Sequence, residues 1–187
     1  IEGFKIGLAI PYPDCQVAHS SLNVEKPDYL GVIVPQFWSK VRRTVRGNLI
    51  FIESDVVCNR RCNPVESDFD VGITDSADMW GLMPFNGGIM FLRDTPGAQL
   101  FLDTVMELSC SMPVNFPLWY ANQVAMLPAY LLLKDKVNFK IFPHEEYNYS
   151  PDVYEPTDAY FVHLKGRRKV LQGEYIKALM ARPKVVV

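Results

Sequence analysis

The stretch Asn48–Asn59, NLIFIESDVVCN, constrains the chain more than any other. Leu49, Ile50, Phe51 and Ile52 form an unbroken apolar run, β-branched and aromatic, with no polar residue on either alternating side. Such a run suits a strand covered on both faces, as in a mostly parallel sheet flanked by helices. It ends in Glu53-Ser54-Asp55, two carboxylates one residue apart. Ligands of open α/β sheets bind at the carboxyl ends of such strands. Oxygen ligands in this arrangement suit Mg²⁺ or Mn²⁺, which in turn holds phosphate oxygens. Taken alone, the tripeptide is better explained as a solvated strand-to-loop turn with no ligand. The later motifs decide between the two.

A length of 187 residues implies one domain with a sizeable core. With 49% apolar and 21% charged residues the composition is that of a globular protein. A net charge of −2 argues against a general nucleic-acid binder. No apolar run reaches the length of a membrane span; the nearest, Val124–Leu133, is short and contains Pro128. Cys58 and Cys62 have the spacing of half a zinc site, but no second pair of Cys or His stands at suitable spacing. Free thiols in a reducing compartment are the expectation, which points to the cytoplasm.

From the N-terminus, Lys5–Ile10 reads as a first strand ended by the turn Pro11-Tyr12-Pro13-Asp14. In a nucleotide-binding α/β domain this loop holds base and ribose, so Tyr12 is a stacking candidate and Asp14 a ribose-hydroxyl candidate; plain turn residues are the alternative. Tyr29–Val34 reads as a second strand, and Gln36–Arg46 as an amphipathic helix stopped by Gly47. Strand, helix and the Leu49 strand then predict a parallel crossover. Arg42, Arg43 and Arg46 are expected on the solvated face of that helix, and Arg60 and Arg61 in a surface loop.

Asp70–Asp75 predicts another short strand, within an acidic group (Asp68, Asp70, Asp75, Asp78) that either adds a metal ligand or caps turns. Asn86-Gly87-Gly88 opens the apolar strand Ile89–Leu92. Its glycines permit close backbone approach to a ligand and its Asn offers a donor and an acceptor to hydroxyls, with a hairpin turn as the alternative. Thr95-Pro96 is a helix start. Trp119–Leu133 reads as a helix, or a helix pair around Pro128, interrupted by Asn122 and Gln123. Phe139–Phe142 and Ala159–Val162 predict late strands. The latter leads into His163-Leu164-Lys165-Gly166-Arg167-Arg168-Lys169, where His offers a nitrogen to a divalent metal, Gly lets the loop wrap, and Lys165 and Lys169 can neutralise a diphosphate. Read as charge alone, the run is a basic surface patch. Glu174–Ala181 closes the pattern as a helix.

Together these motifs resemble, in order, the GT-A fold glycosyltransferases, the nucleotide-diphospho-sugar transferases. Glu53-Ser54-Asp55 matches their Asp-x-Asp, Asn86-Gly87-Gly88 their Asn-x-Gly strand, and Asn122-Gln123 their Asp-Gln pair. His163, Gly166 and Lys169 match the late His-x-x-Gly-x-x-Lys loop, and Tyr147-Asn148 the Tyr-Asn before it. The resemblance spans roughly residues 37 to 172. It departs from the family at Glu53, at Asn122, and in a short front end.

The resemblance implies a single domain over 1–187, with a nucleotide-binding half over roughly 1–58 and a sugar and acceptor half over roughly 59–187. It implies Mn²⁺ or Mg²⁺ on Asp55 and His163, and a nucleotide sugar, UDP-linked by family habit, as donor. Lys165 and Lys169 would stabilise the leaving diphosphate. Glu53, Gly87, Gly88, Asn122 and Gly166 would line the substrate, while Asn86 and Gln123 would orient sugar or acceptor beside Asp55. An inverting reaction also needs a base, for which Asp75, Asp78 and Glu145 are candidates. The implied acceptor is a glycan, a lipid or a protein, and the expected cytoplasmic location is compatible with peripheral membrane association. Two alternatives stand beside this reading: a sugar-nucleotide or carbohydrate binding module without turnover, and a metal-dependent nuclease or phosphotransferase, which would need a lysine or further carboxylate beside Asp55.

Overall fold

The computed structural model describes residues 4–7, 19–22, 30–60, 68–76, 83–113 and 120–182. In chain order the elements are β1 (Phe4–Gly7), β2 (His19–Leu22), α1 (Leu30–Thr44), β3 (Leu49–Ile52), β4 (Val56–Cys58), β5 (Val71–Asp75) and β6 (Phe85–Leu92). They continue as α2 (Pro96–Cys110), α3 (Ala121–Leu133), β7 (Phe139–Phe142), α4 (His144–Tyr147), β8 (Phe161–His163), a 3₁₀ helix (Gly166–Leu171) and α5 (Gln172–Met180).

The central sheet runs β3-β6-β5-β7. Within it β6 is antiparallel to both neighbours, and only β5 and β7 are parallel. The expectation of a mostly parallel sheet is therefore corrected to a mixed one. Burial on both faces holds, and it explains why the run looked parallel. Leu49 and Phe51 join the core with Trp38, Met90, Phe101 and Met126 from α1, β6, α2 and α3. Ile50 and Ile52 point the other way, among Phe69, Phe91, Phe142 and Phe161. A strand covered on both faces reads as an apolar run whatever its neighbours' direction.

Of the strand expected at Tyr29–Val34, residues 30–34 are instead the start of α1, with Pro35 inside the helix, and Tyr29 lies outside the described residues. Short apolar runs do not distinguish a strand from a buried helical turn. Here Val34, Phe37, Trp38 and Val41 pack as one helical face on the core. With that strand gone, so is the predicted parallel crossover into β3, which pairs antiparallel with β6. Arg42 is also corrected. It is 3% exposed, and its guanidinium donates to the carbonyls of Gly47 and Val45 (both 2.6 Å) and to Asp94 Oδ1 (2.9 Å). Asp94 Oδ2 accepts in turn from the amide of Gly47, whose φ of +88° suits glycine. The α1–β3 corner is thereby locked to the end of β6. Arg43 and Arg46 are exposed, as expected.

Thr95 caps α2 by accepting from the amide of Ala98 (3.2 Å), with Pro96 in the first turn, as the sequence predicted. Pro128 lies within a single helix, α3. Asp70 and Asp75 bond backbone of distant segments: Asp70 Oδ2 accepts from the amide of Asn138 (2.9 Å) and Asp75 Oδ1 from that of His144 (2.5 Å), while Asp75 also stands within ligand distance of His144 and Glu145. No helix among the described residues is long and apolar enough to cross a membrane.

Candidate metal and phosphate site

The amide of Glu53 donates to the carbonyl of Gly88 (2.9 Å), tying the chain to β6 for one residue beyond β3. A turn closes from the amide of Val56 to the carbonyl of Glu53 (3.2 Å), leaving Ser54 exposed. β4 then pairs antiparallel with β8, Val56 opposite His163, and the amide of Leu164 donates to the carbonyl of Asp55 (2.9 Å). Two segments over a hundred residues apart are thereby stitched together at the carboxyl end of β3. That stitching assembles the site.

His163 is 1% exposed. Its Nε2 lies 3.3 Å from Asp55 Oδ1 and 3.4 Å from Glu53 Oε2, and Lys169 Nζ lies 3.3 Å from the other oxygen of Asp55. Its Nδ1 meets Asn148 Oδ1 at 2.9 Å, and the Asn148 amide nitrogen donates to Thr74 Oγ1 at 3.2 Å. Because Thr74 takes the amide nitrogen, Asn148 presents its oxygen, which can only accept. Nδ1 therefore carries the hydrogen and Nε2 is directed at the carboxylates. The ring also sits hard against Gly88: a Cβ there would stand 2.4 Å from His163 Cε1 and 2.8 Å from Nδ1. Gly88 therefore makes room for the imidazole, while Asn86 Oδ1 accepts from the Gly88 amide (2.8 Å) and holds the strand in place.

Electrostatics follow the geometry. Burial opposes charge on His163, but the Asp55 and Glu53 carboxylates outweigh it and raise the imidazole to about 9. Burial likewise opposes charge on Asp55, yet His163 and Lys169 hold its carboxyl down at about 2. In the metal-free protein an imidazolium thus sits between two carboxylates, where a cation is stabilised. Nε2 itself is buried with no aligned hydrogen-bond partner. One such nitrogen and two carboxylates, with ligand atoms within 4.8 Å of one another, fit a divalent ion.

Of the residues singled out from sequence, Glu53, Asp55, Gly88, His163 and Lys169 come together here. Glu53 belongs to the potential ligand set itself. Asn86 is buried and occupied with Gly88. Gly87 and Asn122 meet in the next layer, where a Cβ on Gly87 would stand 3.5 Å from Asn122 Nδ2. Asn122 is 5% exposed, and Gln123 is half-buried beside it on α3. Lys165 is half-buried at the start of the 3₁₀ helix, and Gly166 is exposed with φ +62°. Tyr12, Asp14 and Asp78 lie outside the described residues, as do Cys15, Cys62 and Arg61. Asp75 and Glu145 converge on His144 Nδ1, at 3.3 and 3.4 Å, in a second and more exposed group. Cys58 is a free, half-buried thiol that burial pushes up. Sequence reasoning missed Asn148 and Thr74 as the supports of His163. Only the Tyr-Asn pair hinted at the first, and nothing in a β-strand threonine announced the second.

The mixed α/β domain, with its carboxylate turn at the end of β3 and a returning histidine loop, has a glycosyltransferase-like fold. The chain is similar to a solved structure described as a glycosyltransferase involved in the glycosylation of the major capsid of PBCV-1. The TM-score is 0.58 at 18% identity, over 85% of this chain and 81% of that one. At that identity the likeness is one of fold. No protein-family model and no curated protein matches the chain.

Proposed function

We propose that the protein transfers a sugar from a nucleotide-diphosphate sugar, UDP-linked, to a glycan, lipid or protein acceptor, with Mn²⁺ or Mg²⁺ held by Glu53, Asp55 and His163. The observation that carries this reading is the buried Nε2 of His163 aimed between two carboxylates at the carboxyl end of β3, on a glycosyltransferase-like fold. A bound divalent ion there supplies positive charge to the two phosphates of the donor. The remaining work belongs to the chain. Lys169 swings from Asp55 to phosphate oxygen when the diphosphate arrives and, with Lys165, stabilises charge on the leaving group. Asn148 and Thr74 hold the imidazole so that Nε2 keeps its direction. Gln123, next to the Asn122–Gly87 contact, orients the sugar or acceptor. Residues 1–58, with Tyr12 and Asp14, form the nucleotide side of the domain, and 59–187 the sugar and acceptor side.

Two observations support rival readings. Asn122 stands where a carboxylate would help catalysis, and its burial against Gly87 suits a binding module without turnover. Lys169 beside Asp55 meets a requirement of phosphodiester chemistry. A nucleotide-release assay with UDP-sugars, run beside a phosphodiester substrate, separates all three. Metal-dependent UDP release supports the transferase. Binding without release indicates the module, and phosphodiester cleavage alone overturns the proposal.

A further inference from the structure

The solvent side of the C-terminal elements runs against the usual pattern. Along the 3₁₀ helix and α5, a spacing of three and then of three to four aligns Arg167, Val170, Gly173, Ile176, Lys177 and Met180 on one outward stripe. The inward side is marked by Tyr175, 3% exposed. Val170 is 83% exposed and Met180 81%, more than any other large apolar side chain among the described residues, and Ile176 is 41% exposed. The same stretch is the basic part of the sequence, and Arg167 and Lys177 are its members on the stripe. Seven of the 19 Lys and Arg residues but one of the 21 Asp and Glu residues fall within 165–187, so this stretch carries +6 and the remaining 164 residues −8. Val170, Ile176 and Met180 stand exposed alongside Arg167, which also meets Asp152 at 3.4 Å, and Lys177, with Glu174 as the one acidic side chain of the stretch. A stripe of exposed apolar and basic side chains on a protein otherwise acidic is complementary to a surface both apolar and anionic.

We infer that this stripe docks the protein on an anionic lipid bilayer, with Val170, Ile176 and Met180 entering the headgroup boundary and Arg167 and Lys177 meeting lipid phosphates. The flexible stem of Lys177 lets its charge reach the headgroups while its neighbours insert. Repulsion from the acidic remainder of the protein leaves the stripe as the approach favoured by charge. Docking is independent of what the carboxylate site does, but the two are adjacent. Lys169, one residue before Val170, contacts Asp55 at 3.3 Å, so the docked turn carries the site to the membrane surface and to acceptors held there.

The test is co-sedimentation of the full chain with vesicles of phosphatidylcholine alone, and with vesicles in which about one third of the lipid is phosphatidylglycerol, at about 0.1 M salt. The wild type should partition onto the anionic vesicles and not the neutral ones, and added salt should weaken the binding. Val170→Glu/Met180→Glu should lower the partition coefficient at least tenfold. Lys177→Glu, a single exposed change, gives a second reading and should also lower it. Equal partition onto both vesicle types, no partition, or unchanged binding by both variants would overturn the inference. So would self-association of the wild type in sedimentation velocity that the double variant abolishes, because the stripe would then be an interface between copies of the chain.

Discussion

Substitution of Gly88 by alanine probes the site through its packing. Neither Gly87 nor Gly88 has a positive φ, so an added methyl meets no backbone strain at either position and its effect is steric. At Gly88 it would stand 2.4 Å from His163 Cε1, where ordinary contact begins at 3.4 Å, so the imidazole must retreat by about 1 Å. Retreat is blocked, because Asn148 holds Nδ1 and the amide of His163 donates to the carbonyl of Tyr149 at 2.7 Å. Overpacking of this kind costs about 1–3 kcal/mol. For a chain of this length that corresponds to a fall in Tm of about 2–12 °C. Gly87→Ala is the control: its methyl approaches Trp38 Cη2 at 3.3 Å, a contact relieved by a small shift, so the cost should stay below about 1 kcal/mol. Urea unfolding of both variants, paired with Mn²⁺ titration, reads stability and ligand geometry together. Gly88→Ala should lose stability and weaken Mn²⁺ at least tenfold, while Gly87→Ala should keep both near wild type. Equal behaviour of the two variants would refute the packing argument.

Asn148→Ala should cost about 1–3 kcal/mol by leaving the buried Nδ1–H of His163 without its acceptor; urea unfolding measures this. In metal-free protein His163 contributes stability that is fully present below its ordinary value of 6.5 and is lost as pH rises through about 9. The urea midpoint in EDTA should therefore fall between about pH 7 and pH 9.5, and His163→Gln should flatten that fall. Arg42→Ala should destabilise by at least about 2 kcal/mol, since three charge-assisted hydrogen bonds vanish from a buried corner; Arg43→Ala and Arg46→Ala, checked in the same assay, should each change stability by less than about 1 kcal/mol.

Where local pattern reports local structure, the chain was legible. The Thr95-Pro96 start of α2, the apolar run of β3 and its termination in two carboxylates are all short-range signals, and each has its expected form. Strand direction was not legible, because a residue's burial carries no trace of which way its neighbour runs. Tyr29–Val34 was misread because one turn of a buried helix and one buried strand present the same apolar letters. Arg42 was misread for a related reason. Periodicity placed it on the polar side of α1, while the carbonyls and the carboxylate that bury it come from the next corner and from Asp94. The carboxylate site divides in the same way. Asp55, His163 and Lys169 were identifiable as chemically capable residues, and the pairing of β4 with β8 brings them together. The Asn148–Thr74 support and the seating of His163 on Gly88 exist only after that pairing, and no spacing encodes them.

The central claim is that Glu53, Asp55 and His163 form a metal-dependent nucleotide site. Calorimetric titration of UDP and GDP with and without Mn²⁺, on the wild type and on Asp55→Ala, tests it most directly. The account predicts that UDP binds only when Mn²⁺ is present and that the signal disappears in Asp55→Ala while the variant remains folded by circular dichroism. Nucleotide binding of equal strength without metal or in Asp55→Ala, or no binding of either nucleotide to the folded wild type, would contradict it.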